Sequence, residues 1–131
     1  MKGLDTNVLV RLLTRDDPAQ FDRARRALEK LEAAGEPARI DVIVLCELAW
    51  VLASGYGLDR EAIANALAGL LDVAAFDVDD RGLVREAVVR YRAGSGDFSA
   101  HLIGLRNQRA GCDRTLTFNR RLHRAPAFAP L

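Results

Sequence analysis

The stretch ARIDVIVLCELAWVLASGYG, residues 38–57, decides the fold class of this chain. Its first five residues, ARIDV, predict a short strand. The apolar run at 43–53 follows directly, and its length and its Leu and Ala content favour a buried helix over a strand. Gly55 and Gly57 are expected to end that helix. A strand that leads straight into a buried helix is the repeating unit of α/β folds.

The same alternation of strand and helix continues on both sides of this stretch. Residues 2–6 predict a strand followed by a short helix, and Asp17-Pro18 predicts a helix to about residue 34. Toward the C-terminus we expect a helix from Asp59 to about 71, a strand at 73–78, a helix with an apolar stripe from Leu83 to Tyr91, a helix from Asp97 to about 110, a strand at 115–118 and a short edge strand in the tail. This order predicts an α/β sandwich around a central, mainly parallel sheet of four to five strands.

Composition predicts one folded domain over residues 1–131. A chain of 131 residues, half of them apolar and with mixed charges, buries a real core and is not disordered. The apolar stretch 42–58, whose only charged residue is Glu47, is too short to span a bilayer, and the N-terminus MKGLDTNV lacks the apolar segment of a signal peptide. Cys46 and Cys112 are isolated, which argues against a disulfide framework. We therefore expect a cytoplasmic protein.

The basic residues are unevenly distributed and are nearly all arginine. Net charge is only +1, yet of the 19 basic residues only Lys2 and Lys30 are lysine. Residues 104–131 hold six arginines (106, 109, 114, 120, 121 and 124) against one acid, Asp113. A basic C-terminal segment suits a phosphodiester substrate, because guanidinium groups match phosphate oxygens. An arginine bias also follows from GC-rich coding, and an ordinary solvated surface remains the alternative.

Three acids, Asp5, Glu47 and Asp97, are each the only formal charge in an apolar or small-residue run. A lone buried carboxylate costs several kcal/mol unless a cation or hydrogen-bond donors compensate it. Since no Lys or Arg lies nearby in sequence, the three acids predict a shared metal ion. Asn119 follows the predicted fourth strand, and ligands in such folds gather beyond the carboxyl ends of the strands.

Three of these four residues have a simpler interpretation. Asp97 and Asp5 are both good helix caps, and Asn119 is a common turn residue. Glu47 is the hardest to explain otherwise, because a glutamate in the middle of an apolar helix caps nothing. His101 lies one turn after Asp97 and is interpreted as a packed, hydrogen-bonded histidine more readily than as a ligand.

Carboxylates without paired His or Cys predict Mg²⁺ or Mn²⁺ as the cofactor. Such a metal activates a water for attack on phosphorus and stabilises the leaving oxygen. We expect Asp5 and Glu47 to be metal ligands, Asp97 to be a ligand or to orient the water, and Asn119 to support them by hydrogen bonding. The hydroxyls of Thr6 and Thr117 are expected to help.

Four segments, in this order, resemble the PIN-domain family and, more narrowly, the VapC toxins of VapBC toxin–antitoxin modules. They are MKGLDTNVLVRLL, then CELAWVL followed by GYGL, then GDFSAHLIGLRNQRAGC, and TLTFNRRL. The resemblance covers essentially the whole chain and implies a PIN-like α/β/α fold. It also implies a metal-dependent endoribonuclease that cuts structured RNA such as tRNA or rRNA. Homodimerisation, higher-order toxin–antitoxin complexes and inhibition by a VapB antitoxin, whose C-terminal segment lies in a groove near the site, are implied as well.

The resemblance places the family's first two acids on Asp5 and Glu47, and its fourth position on Asn119. At the third position many relatives carry acids three residues apart, whereas this chain has Asp97 and then Ala100. Either Asp97 holds the metal, or the site is weakened, or Ala100 is an inactivating substitution.

Two other functions stay open beside the ribonuclease toxin. One is a PIN domain with a weakened site that binds RNA or a partner without cutting. The other is a Mg²⁺-dependent DNA nuclease, against which the short chain argues. Trp50, Leu52 and Tyr56 are interpreted as core residues, with an antitoxin groove as the alternative.

Overall fold

The computed structural model describes all residues, Met1–Leu131, and contains six α-helices, five strands and one 3₁₀ helix. They run in the order β1 (Lys2–Gly3), α1 (Thr6–Thr14), α2 (Pro18–Ala33), β2 (Ala38–Ile40), α3 (Val42–Ser54), α4 (Arg60–Leu71), β3 (Phe76–Val78), α5 (Arg81–Ala93), α6 (Phe98–Arg109), β4 (Thr115–Thr117), the 3₁₀ helix (Arg120–Leu122) and β5 (Phe128–Pro130). Residues 1–80 and 81–131 form two compact units. No helix combines the length and apolar character needed to cross a membrane.

The first unit contains a parallel sheet with the strand order β1-β2-β3. Lys2 pairs with Ala38, and Ala38 pairs in turn with Phe76. Parallel strands need long crossover connections, which α1 and α2 provide between β1 and β2, and α3 and α4 between β2 and β3. The predicted α/β class with parallel strand pairing is confirmed. The expected single sheet of four to five strands is not, because β1, β2 and β3 form one sheet and β4 and β5 form a separate pair.

An aspartate caps each of the four helices of the first unit. The side chains of Asp5, Asp17, Asp41 and Asp59 each accept a hydrogen bond from a backbone N–H in the first turn of the following helix. Each cap of this kind stabilises a helix by about 0.5–2 kcal/mol. Two of the strands are therefore shorter than predicted, because Asp5 and Asp41 start helices and do not extend strands.

Helix α3 supplies part of the core but also has an exposed face. Leu45, Leu48 and Leu52 are buried, whereas Ile43 and Trp50 are 66% and 70% exposed. The prediction that this apolar run is buried as a whole is wrong for that face. The core interpretation is confirmed for Leu52 and is wrong for Trp50.

A polar cluster around Asp16 joins the α1–α2 connection to the residues after α3. Tyr56 donates its hydroxyl to Asp16 Oδ2 at 2.7 Å, and Thr14 donates to Asp16 Oδ1 at 2.8 Å. Arg11 Nη1 donates to the same carboxylate at 3.1 Å. These contacts, first the hydrogen bond from Tyr56, lower the pKa of Asp16. Tyr56 is thus half-buried and hydrogen-bonded at the surface, and is not a core residue.

The second unit pairs α5 with α6 beside a parallel β4–β5 pair, in which Thr115 lies opposite Phe128. Tyr91 and Phe98 meet edge to face with ring centroids 6.2 Å apart. Leu122, Ala127 and Phe128 form a small apolar cluster. The tail therefore adds the predicted short strand, and that strand pairs in parallel.

We expect Asp16→Asn to lower the melting temperature at neutral pH, with the loss disappearing in acid. A carboxyl whose folded pKa is lowered stabilises the fold above its unfolded pKa, about 3.9, and loses that effect as pH falls through the folded value. Thermal melts of both proteins from pH 7 to pH 2.5 measure the difference. Asp113→Asn, at an exposed position, is the control. A difference that grows in acid would contradict the cluster.

We expect Gly104→Ala to destabilise the protein by about 1–3 kcal/mol through overpacking. A Cβ at this position of α6 would lie 2.8 Å from the Phe128 ring and 3.0 Å from the Ala127 Cβ. The matched control is Gly82→Ala in α5, where a Cβ meets nothing within 4 Å. Urea titration of both variants measures the two effects. Equal stabilities would contradict the close packing of α6 against the tail.

Candidate active site

Asp5 links the end of β1 to the start of α1. Its backbone is extended, and its Oδ1 accepts a hydrogen bond from the Thr6 N–H at 2.8 Å. The capping interpretation is therefore correct. Capping uses one carboxylate oxygen only, so Oδ2 stays available to a ligand.

Thr6 brings Asp5 and Glu47 together. Thr6 is only 7% exposed, and its hydroxyl donates to Glu47 Oε1 at 3.0 Å. Its backbone N–H donates a hydrogen bond to Asp5 Oδ1. A single residue thus holds the two predicted metal ligands of the first unit, as expected for the Thr6 hydroxyl. Glu47 retains Oε2 for a further contact.

The carboxylates are not buried. Asp5, Glu47 and Asp97 are all exposed, so the argument that burial forces a compensating cation on them is wrong. What holds is that none of the three forms an ion pair with Lys or Arg. Each therefore keeps an uncompensated negative charge at the surface, as a cation site requires.

Asp97 occupies the N-cap position of α6 but does not cap it. Its backbone is extended, and its side chain makes no capping hydrogen bond. The alternative that Asp97 is only a cap is therefore wrong, and both of its carboxylate oxygens remain available. The macrodipole of α6 still favours a negative charge at this end of the helix.

His101 fixes the turn that precedes Asp97. It is 4% exposed, and its Nε2 lies 2.7 Å from the Ser95 carbonyl oxygen. Since a carbonyl only accepts, Nε2 carries the hydrogen and donates it. Gly96 in this turn has φ +89°, and a Cβ there would lie 2.5 Å from Leu122. His101 is thus the packed, hydrogen-bonded histidine that the sequence predicts.

Asn119 organises the loop after β4. Its Oδ1 accepts from the Arg121 N–H at 3.0 Å, and its own N–H donates to Thr117 Oγ1 at 2.9 Å. These bonds start the 3₁₀ helix and use the Thr117 hydroxyl locally. The turn-residue interpretation of Asn119 is correct, and its catalytic role stays a prediction.

Four further positions have environments that the sequence did not predict. Ile43 and Trp50 flank Glu47 on the exposed face of α3, at i−4 and i+3. Ala100 packs against the cluster of Leu122, Ala127 and Phe128, so an aspartate there would meet apolar groups. His123 is half-buried, and its Nε2 is buried without a hydrogen-bond partner.

The donor chemistry of the Asp5–Glu47 pair suits a hard divalent cation. The structure has no group of three or more His, Cys, Asp or Glu side chains that would hold a metal ion by themselves. Mg²⁺, however, commonly takes one or two carboxylates and completes its shell with waters and substrate oxygens. Two exposed carboxylates, each with one oxygen unused, are sufficient for that mode of binding.

We expect Asp5→Ala to cost about 1 kcal/mol of stability, because it removes the capping bond to Thr6. Asp97→Ala removes no capping bond and is expected to cost less than about 0.5 kcal/mol. Asp5→Asn, which keeps the cap, is the control and is expected to be as stable as the parent. Urea titrations measure all three. An Asp97→Ala loss equal to that of Asp5→Ala would show that Asp97 is a structural cap.

Comparison with known proteins supports the predicted family. The PIN domain family matches residues 3–127, across both compact units. A VapC ribonuclease from Aquifex aeolicus (strain VF5) is 29% identical over 121 residues, which cover 92% of this chain and 89% of that relative. No solved structure gives a significant match. The predicted resemblance and the PIN-like α/β/α fold are confirmed, and this chain belongs to the PIN domain family.

Proposed function

We propose that this chain is a VapC-like endoribonuclease toxin that cleaves structured RNA such as tRNA or rRNA with the help of Mg²⁺ or Mn²⁺. The observation that carries the proposal is the pairing of Asp5 and Glu47 through Thr6, with an unused oxygen on each carboxylate. The similarity to a protein named as a VapC ribonuclease supports the substrate class. Residues 1–131 act as one PIN domain in this proposal.

Asp5 and Glu47 hold the metal in this proposal, and Asp97 is a further ligand or orients the attacking water. A Mg²⁺ or Mn²⁺ held there would lower the pKa of a water bound to it and would neutralise charge on the phosphate. Thr6 keeps Glu47 oriented through its hydroxyl, and the Asp5 cap fixes the first carboxylate on α1. Asn119 keeps the loop after β4 in place.

The test is cleavage of a panel of tRNA and rRNA in Mg²⁺ or Mn²⁺, with EDTA as the metal-free control. We expect Asp5→Asn and Glu47→Gln each to slow cleavage by about 100-fold or more, because each removes a charge from the metal site while keeping its size. Asp59→Asn caps α4 equally well and is expected to cleave normally. Cleavage by Glu47→Gln at the parent rate would contradict the proposal.

The same assay addresses Ala100. We expect the chain to cleave as it stands, because Asp97 is free of any capping role. Ala100→Asp places a carboxylate against an apolar cluster and is expected to reduce stability without raising the rate. Cleavage that appears only in Ala100→Asp would identify this chain as a disabled nuclease. It would then act as an RNA- or partner-binding protein.

The proposed partner is a VapB-like antitoxin in the cytoplasm. A groove of about 400 Å³ lies between α1 and α2, with Leu28 and Leu31 on one side and Asn7 and Val8, close to Asp5 in sequence, on the other. Its apolar residues suit an antitoxin segment, from which an arginine reaches the Asp5–Glu47 pair.

The exposed apolar side chains of Ile43 and Trp50 suit a homodimer interface. The molecular mass measured by light scattering tests whether the chain is a dimer.

We expect the double variant Asp5→Asn, Glu47→Gln to bind a VapB-like antitoxin at least about tenfold more weakly, since the antitoxin arginine loses both carboxylates. Calorimetric titration of the parent and the variant measures this. An unchanged affinity would rule out the arginine contact, and the groove would then hold the antitoxin by apolar contacts alone.

A further inference from the structure

The second unit contains a cavity of about 320 Å³ that the proposed chemistry does not use. It lies between the end of α5, the turn before α6 and the chain from Arg121 to Phe128. Its volume is at the lower end of the range for small-ligand sites. The polar side chains that line it are Arg90, Ser95, His101, Arg121 and Arg124.

The cavity is positively charged. Three arginines line it and no acidic residue does. Arg90 is partly neutralised by Glu86, whose Oε1 lies 3.1 Å from Arg90 Nη2. The guanidinium groups of Arg121 and Arg124 make no ion pair or hydrogen bond. Two uncompensated arginines at one cavity favour an anionic ligand, and guanidinium forks match phosphate oxygens in particular.

The rest of the wall is apolar, with Pro126 and Phe128 beside the arginines. His101 is already engaged, because its Nε2 donates to the Ser95 carbonyl. An inorganic ion would leave most of this wall without a partner, whereas a nucleotide offers a base or sugar to it. The size, the charge and the apolar wall together match one phosphorylated nucleoside.

We propose that this arginine cavity binds a nucleotide phosphate, supplied by the RNA substrate. The inference rests on the proposed ribonuclease function for the source of the phosphate, but the binding chemistry stands on the cavity itself. Gly94 and Ser95 line the cavity and precede Asp97 by three and two residues. A nucleotide held there anchors the substrate beside the turn that carries Asp97.

In the first experiment, 5′-AMP and adenosine are titrated separately into the full chain in EDTA, and binding is measured by calorimetry. We expect 5′-AMP to bind at least about tenfold more tightly than adenosine, and Arg121→Gln with Arg124→Gln to remove that difference. The control pair, Arg106→Gln with Arg114→Gln, changes the net charge equally at exposed positions outside the cavity. The pair Arg121→Lys with Arg124→Lys is expected to restore part of the affinity.

Equal weakening by both glutamine pairs would overturn the proposal, because it would mean that general surface charge attracts the nucleotide. Equal binding of 5′-AMP and adenosine would overturn it as well. Thermal melts show whether each variant is folded. Arg121 and Arg124 are exposed. The hydrogen bond from the Arg121 backbone N–H to Asn119 Oδ1 does not involve the side chain, so the substitution retains it. We therefore expect unchanged melting temperatures.

The second experiment identifies the source of the phosphate. A single-stranded RNA is bound in EDTA and competed with 5′-AMP. If 5′-AMP competes with the RNA, and the Arg121→Gln, Arg124→Gln pair abolishes that competition, RNA is supported as the source of the phosphate. If RNA and 5′-AMP bind simultaneously, RNA is excluded as the source and the cavity binds a free nucleotide. The Arg121→Gln, Arg124→Gln pair could still bind RNA and 5′-AMP normally while Asp5→Asn loses cleavage. That combination would overturn the cavity inference but not the proposed function. Cleavage that survives Asp5→Asn would sink the proposed function and leave the binding result intact.

Discussion

The hydrogen bond from the Thr6 hydroxyl to Glu47 is the contact on which the proposed site depends. Thr6 is the first residue of α1, is almost completely buried, and uses its N–H for Asp5 and its hydroxyl for Glu47. Because β1 and β2 pair in parallel, the helices that follow them start at the same edge of the sheet. The sheet thus brings the start of α1 close to α3, and Thr6 holds the carboxylates of Asp5 and Glu47 in place through its two hydrogen bonds.

The helices of this fold follow from local signals, and the strands follow less well. Asp17-Pro18 and Asp59 start helices where the sequence predicts, because an aspartate side chain satisfies N–H groups that a helix leaves free. The same chemistry shortens the strands, since Asp5 and Asp41 also cap. The run VAAFDV loses its first half to a turn, in which Phe76 N–H bonds the Val73 carbonyl. Competition between caps and strands is local, but its outcome depends on the pairing of the strands.

The sequence predicts buried carboxylates, but Asp5, Glu47 and Asp97 are exposed. An uncharged run around Glu47 predicts a buried carboxylate only if apolar residues are always buried, and Ile43 and Trp50 are not. The other part of the prediction, that no cation accompanies these acids, does not depend on burial and holds in the structure. In the second unit, His101 is hydrogen-bonded as predicted, and the Asp97 side chain makes no capping hydrogen bond. The basic tail was visible in the sequence, but its link to Arg90 was not, because these residues are distant in the chain and meet only at the cavity.

Mn²⁺ binding to the full chain, monitored by electron paramagnetic resonance, directly tests whether Asp5 and Glu47 form a metal site. We expect the parent to bind Mn²⁺, and we expect Asp5→Asn and Glu47→Gln each to weaken binding at least about tenfold. Thr6→Val, which removes the hydroxyl that orients Glu47, is expected to weaken it less. Mn²⁺ binding of parental strength in the Asp5→Asn, Glu47→Gln double variant would show that these two carboxylates do not hold the metal.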